Sequence, residues 1–94
     1  TKSDLDKDNY DTLAFYLGDD EIVKFDSIEV IGSDSFCRNQ NIKKVVIPEN
    51  LRIIERGAFF RATNLKNVVI PLNSQLQEIG SLAFNGTLIE SIFI

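Results

Sequence analysis

The sequence contains no histidine and only one cysteine among its 94 residues, and these absences exclude several kinds of active site. Without histidine there is no Ser-His-Asp triad, no imidazole general base and none of the usual histidine ligands of zinc. The single cysteine, Cys37, allows no disulfide within the chain and leaves the redox compartment open. With no histidine to activate it, we interpret Cys37 as a quiet, partly buried thiol.

Long apolar segments and a basic character are also missing. No hydrophobic run approaches the roughly 18 residues of a membrane span, and no signal-peptide pattern is present. The formal net charge is −4, whereas nucleic-acid binding needs a basic surface. We therefore expect no membrane insertion and no nucleic-acid partner. Because the chain lacks an initiator methionine and stops within a repeating pattern, we also expect it to be a piece of a longer protein.

The charges are spread unevenly along the chain. Residues 1–34 carry ten acids against three lysines, and residues 35–94 carry four acids against seven bases. The two parts therefore have net charges of −7 and +3, which sum to −4. Such asymmetry can orient a molecule toward a charged surface, although solvated loops are the commoner cause. We predict an acidic N-terminal segment over residues 1–11.

An internal repeat dominates the rest of the sequence. Each copy begins with an isoleucine and reaches a phenylalanine five residues later, as I-G-S-D-S-F from residue 31, I-E-R-G-A-F from residue 54 and I-G-S-L-A-F from residue 79. Phe36, Phe59 and Phe84 therefore recur with periods of 23 and 25 residues. Some seven matched positions in three copies are too many for unrelated β-hairpins that share apolar residues by chance.

The second half of each copy has the pattern of a short strand. Leu65, Val68 and Ile70 form an L-x-x-L-x-L pattern whose last two members face the same side of a strand. Pro48 and Pro71 end the strand because proline cannot donate to the next ladder. One copy cannot bury its own apolar edge, so the copies must stack about 4.8 Å apart. The sequence predicts a solenoid over residues 12–94 with four repeats, at residues 12–25, 28–48, 51–71 and 76–94.

The first of these repeats is degenerate. The segment L-A-F at residues 13–15 is aligned with L-A-F at residues 82–84, which places Val23 and Phe25 at strand positions. Asp20 then falls where the other copies have Ile or Leu. A polar terminal repeat is expected, because the end of a solenoid faces solvent.

The recurring frame I-G-x-x-x-F followed by L-x-x-V-x-I-P resembles the BspA-like leucine-rich repeat family, named for a bacterial surface protein. The resemblance covers residues 22–94 well and residues 12–21 weakly. The Ile-Pro strand end and the Ala-Phe bend distinguish this frame from leucine-rich repeats with an asparagine ladder. In the middle copy Gly57 is displaced from the position of Gly32 and Gly80, which predicts a local difference in that bend.

The resemblance implies a right-handed leucine-rich-repeat solenoid with a parallel β-sheet on the concave side and short turns or 3-10 segments on the convex side. It implies a non-catalytic, adhesion-type protein-binding module without a cofactor, located at the cell surface or secreted. Its partner would be a host or neighbouring-cell surface protein. The alternative is a structural spacer that flanks a separate functional domain, and a third is a fragment of an enzyme whose active site lies elsewhere.

The strand pattern predicts which residues a partner would contact. If Ile42, Val45 and Ile47 point into the core, the residues between them point outward. An apolar stripe with a basic rim on the concave face would suit protein binding. Outward β-branched residues also simply stabilise a parallel sheet, and both interpretations stay open here. The predicted contact residues are Lys43, Lys44, Val46, Lys66, Asn67, Val69, Glu90, Ser91 and Phe93.

Four shorter segments each suggest a local role. Residues 4–8, D-L-D-K-D, open like a calcium loop, but the positions of its glycine turn and bidentate glutamate hold other residues, so we interpret them as a solvated acidic tail. Residues 19–21, D-D-E, resemble an acid pair, and we interpret them as a polar cap. Residues 85–87, N-G-T, form a glycosylation acceptor sequence, a short motif that often arises by chance and that matters only if a eukaryote secretes the protein. An uncapped strand ending at Ile94 predicts self-association through the C-terminal repeat.

Overall fold

The computed structural model describes residues 12–13, 16, 18–25 and 27–89, together with the backbone of residues 91–93. Within these ranges eight short strands form two separate four-stranded sheets. All pairings are parallel, so each turn of the chain, here called a coil, adds one strand to each sheet. This arrangement confirms the predicted solenoid. The strands are β1 (Thr12–Leu13), β2 (Ile22–Lys24), β3 (Val30–Ile31), β4 (Lys44–Val46), β5 (Ile53–Ile54), β6 (Asn67–Val69), β7 (Glu78–Ile79) and β8 (Ser91–Phe93). The odd-numbered strands form one sheet, in the order β1-β3-β5-β7, and the even-numbered strands form the other, in the order β2-β4-β6-β8.

The sheet of even-numbered strands is the one that the sequence predicted. Val23, Val45 and Val68 occupy one register position in successive strands and are at most 5% exposed. β4 and β6 each end two residues before a proline, Pro48 and Pro71. The β-branched side chains therefore pack in a row on the inner side of this sheet, and the prolines end the strands because they cannot donate a backbone hydrogen bond.

The sheet of odd-numbered strands was not predicted. The repeat pattern predicted one strand in the second half of each copy, and the structure in addition pairs Leu13, Ile31 and Ile54 in register. Ile31 and Ile54 are fully buried. Two-residue strands are too short to show an alternating pattern, which is why the periodicity did not reveal them.

A column of aromatic rings fills the centre of the solenoid. The Phe36 and Phe59 centroids are 4.8 Å apart with the ring planes 15° apart, and the Phe59 and Phe84 centroids are 5.2 Å apart at 4°. Phe25 contacts Phe36 edge-on at 6.0 Å. Phe36 and Phe59 are fully buried. The spacing of the copies is thus set by rings that stack from one coil to the next.

Tyr16 occupies the aromatic position of the first coil, where the alignment predicted Phe15. Its ring stacks on Phe36 at 4.8 Å. Its backbone N donates to the Ser35 carbonyl at 2.9 Å, as the Phe36 N donates to the Ala58 carbonyl at 2.7 Å. The predicted alignment was therefore wrong at the aromatic position, because Leu13 pairs with Ile31 and the first coil is shorter than the others. Phe15 lies outside the described residues.

The bend between the two sheets is held by backbone hydrogen bonds of two alternating kinds. In the coil of Phe36, the N–H groups of residues 34, 36 and 38 donate to carbonyls of the next coil, whereas those of residues 35, 37 and 39 donate three residues back within their own coil. The coil of Phe59 repeats the pattern from residue 57 to residue 62. Alternate donors therefore shape each bend and tie it to its neighbour.

Each bend contains two residues in the left-handed backbone region. In the first position φ is +59° at Asp34, +67° at Gly57 and +60° at Leu82. Gly57 therefore occupies the position where left-handed backbone favours glycine, and the backbone follows the same course in all three coils. The local difference predicted for the Gly57 bend was wrong. The second left-handed position is occupied by Arg38, Arg61 and Gly86.

Candidate protein-binding face

Strand alternation in β4 and β6 separates core residues from outward ones. Val45 is fully buried, whereas its neighbours Lys44 and Val46 are partly exposed on the other side. In β6, Val68 is 1% exposed between the partly exposed Asn67 and Val69. Ile42 and Ile47 are buried as well, as the sequence predicted. Both strands thus present an outer surface to solvent.

The parallel register arranges the outward residues in rows across the sheet. Val46 is the register partner of Val69, and Lys44 is the partner of Asn67. The Lys66 N donates to the Lys43 carbonyl at 3.0 Å, which aligns these two exposed lysines in a third row. The structure therefore brings six of the nine predicted contact residues together on one surface, with a valine row beside lysines.

The remaining three predicted residues lie at the last strand. The backbone of β8 continues the rows, with Ser91 opposite Asn67 and Phe93 opposite Val69. The side chains of Ser91 and Phe93, and the whole of Glu90, lie outside the described residues. Their contribution to the surface stays a prediction.

Two outward residues of β2 were missed by the sequence reasoning. Ile22 is 56% exposed and pairs with Lys44, and the exposed Lys24 pairs with Val46. The signal was present, because Val23 had already been placed at an inward strand position and residues two apart share a face. We define the open face as Ile22, Lys24, Lys43, Lys44, Val46, Lys66, Asn67 and Val69.

The open face is basic although the whole chain is acidic. It carries four lysines, and the neighbouring carboxylate of Glu21 lies 3.5 Å from the Lys43 ammonium. The two side chains of this pair are 57% and 66% exposed, so solvent screens their attraction and the pair contributes little to stability. Lys43 can therefore exchange this weak pair for a charge on a partner.

The acidic residues 19–20, Cys37 and residues 4–8 were the other candidate sites in the sequence. Asp19 and Asp20 are exposed, and Asp20 accepts a 2.6 Å hydrogen bond from the Tyr16 hydroxyl, which raises the pKa of that tyrosine. Cys37 is a partly buried free thiol. Residues 4–8 lie outside the described residues, and no group of metal-ligating side chains occurs within the described ranges.

Among the described residues, no helix is long and apolar enough to cross a membrane. Ile79 and Leu88, 49% and 51% exposed, lie in the last coil. Self-association through this coil stays a prediction.

Parallel coils that stack in register and add one strand to each of two sheets define a solenoid protein. A family described as BspA type leucine rich repeat region, in six copies, matches residues 19–94, and the chain belongs to this family. No curated protein and no solved structure gives a significant match. Repeats of this type serve as protein-interaction modules, are generally not enzymes, and occur typically in surface or secreted bacterial proteins.

Proposed function

We propose that this chain is a non-catalytic, adhesion-type protein-binding module of a surface or secreted protein, and that it binds its ligand through the open face. The observation that carries the proposal is the register of that face. Val46 lies opposite Val69, and lysines lie in the neighbouring rows. An apolar centre with a charged rim is the composition of protein interfaces.

The chemistry of the face suggests the chemistry of the ligand. Val46 and Val69 are only partly buried within the chain, so a partner that covers them removes further apolar surface from water. The four lysines favour a ligand with carboxylates around an apolar patch. We infer a surface protein of a host or neighbouring cell with an acidic rim at the contact.

A structural spacer is the alternative, since outward valines also stabilise parallel strands. A spacer holds other parts of a protein apart and needs no particular residue on its outer surface. The two functions therefore differ in their response to one substitution that changes the open face and keeps the fold.

Val69→Glu is expected to weaken binding at least about tenfold, because a carboxylate in the centre of an interface loses apolar contact and needs a partner once desolvated. Binding of the fluorescent 94-residue protein would be measured on intact epithelial cells and on bacterial cells, before and after protease treatment of the cells. Circular dichroism would establish that the variant is folded.

Thr63→Glu is the matched control, because Thr63 is an exposed turn residue outside both sheets and the charge change is the same. Its binding should equal that of the unsubstituted protein. Equal loss in both variants, or saturable binding that Val69→Glu leaves unchanged, would contradict the role of the open face. Absence of protease-sensitive binding to both cell types would favour the spacer.

A further inference from the structure

The bend between the two sheets carries a second surface that the open face does not include. Arg38, Arg56 and Arg61 are exposed there, Phe60 is partly buried, and Leu82 is 45% exposed. We define these five residues as the bend surface. Arginine and aromatic residues are enriched at the centres of protein interfaces, so this composition is unusual for a solvated turn.

Backbone hydrogen bonds hold these residues beside one another. The Arg38 N donates to the Phe60 carbonyl at 2.7 Å, and the Asp34 N donates to the Arg56 carbonyl at 3.3 Å. The Arg61 guanidinium lies over the Phe60 ring, with its Cζ 5.4 Å from the ring centroid. The bend surface is thus part of the ladder that joins successive coils, and its geometry does not depend on a mobile loop.

A groove of about 370 Å³ opens on this surface. Its walls are formed by Ser33, Asp34, Arg56, Gly57, Phe60 and Leu82. Phe60 and Leu82 supply an apolar wall, and Arg56 supplies a positive edge. This volume lies at the lower end of the range of ligand-binding pockets, about 300–1,000 Å³, and is large enough to admit an apolar side chain such as leucine.

The arginines are available to an incoming ligand. Within the part of the chain that the structure describes, none of the three guanidinium groups forms an ion pair. Asp34 is the one carboxylate among the groove residues. Guanidinium groups bind carboxylates through paired hydrogen bonds, which gives them directional preference for acidic side chains.

The fold itself does not require these side chains. The position of Arg56 is occupied by Ser33 and Ser81 in the adjacent coils, and the position of Phe60 by Cys37 and Asn85. Gly86 likewise takes the position of Arg61. Because the same backbone accepts small and polar residues, packing does not explain the concentration of arginine and phenylalanine in the middle coils.

We propose that the bend surface binds an acidic peptide segment of a partner protein, with one apolar side chain of that segment in the groove and its carboxylates on the arginines. This inference does not rest on the open face. A protein could engage either surface alone, and two contacts on one ligand would strengthen attachment.

The test uses the purified protein and a fluorescent peptide in which one leucine is flanked on both sides by aspartates, with binding followed by anisotropy. Arg56→Ser combined with Arg61→Gly uses residues that the adjacent coils already hold, and it is expected to weaken binding about tenfold or more. Phe60→Asn is expected to weaken it about fivefold. Asp34→Asn removes a negative charge that repels the aspartates of the peptide, and it is expected to tighten binding about threefold.

Asn73→Asp combined with Gln75→Glu changes the net charge by the same two units at exposed residues outside both surfaces, and it should leave peptide affinity within about twofold. A peptide with asparagine in place of aspartate, or serine in place of leucine, should bind clearly less well. Equal loss in the arginine double variant and in this control would overturn the proposal, as would equal binding of the asparagine peptide. Displacement of the peptide by a single-stranded oligonucleotide, with the leucine dispensable, would show a general anion surface and also overturn it.

Discussion

Val68→Asp is expected to unfold the protein, whereas Val69→Asp is expected to leave it folded. The two residues are neighbours in β6, but Val68 is 1% exposed in the core and Val69 lies on the open face. A carboxylate at residue 68 would be buried without a partner, and such a change costs more than about 4 kcal/mol. That is a large part of the stability of a small domain.

At residue 69 the same carboxylate remains in contact with water. The expected cost is about 1 kcal/mol, from the loss of a β-branched side chain in the sheet. Urea unfolding followed by circular dichroism would measure both variants. Similar losses of stability would show that the two valines are not on opposite sides of the strand, and the assignment of the open face would be wrong.

Phe59→Ala is expected to lower the free energy of unfolding by about 3–5 kcal/mol. The Phe59 ring is fully buried between Phe36 at 4.8 Å and Phe84 at 5.2 Å. Its removal leaves a cavity in the middle of the aromatic column, and both neighbouring rings lose a stacking partner. Since the rings join the coils, we expect loss of cooperativity between the coils as well.

Phe60→Ala is the matched control for this experiment. Phe60 is the next residue, and its side chain lies at the surface of the bend. Its truncation is expected to cost less than about 1.5 kcal/mol. Chemical unfolding would compare the two variants under the same conditions. A loss for Phe60→Ala as large as that for Phe59→Ala would contradict the central position of the aromatic column.

Much of the fold could be predicted from the sequence because each coil repeats the same spacing. Three copies of the Ile-to-Phe segment and the β-branched run indicated stacked coils, parallel strands and the inward positions of Val45 and Val68. Alternation placed Val46 and Val69 on the outer side, and the exposed Lys43 and Lys66 lie just before the two strands. The six described residues of the predicted contact surface therefore lie on one side of the sheet.

Other features could not be predicted because they depend on contacts between coils. The sheet of odd-numbered strands has only two residues per strand, and pairing rather than periodicity defines it. The shift from Phe15 to Tyr16 arises because the first coil is shorter, which a gapless alignment hides. The repeat pattern does not indicate the bend surface, because Arg56 and Phe60 differ from the residues at the same positions of the adjacent coils and the pattern consists of residues that recur.

The central claim is that the open face contacts a protein ligand, and site-specific photo-cross-linking tests it most directly. A benzoylphenylalanine would replace Val69 in one preparation and the exposed turn residue Thr63 in another. Both proteins would be bound to intact cells, irradiated and examined for protease-sensitive adducts. The account predicts a cross-linked cell-surface protein from residue 69 and little or none from residue 63. Adducts from residue 63 alone, or equal yields from the two positions, would contradict it.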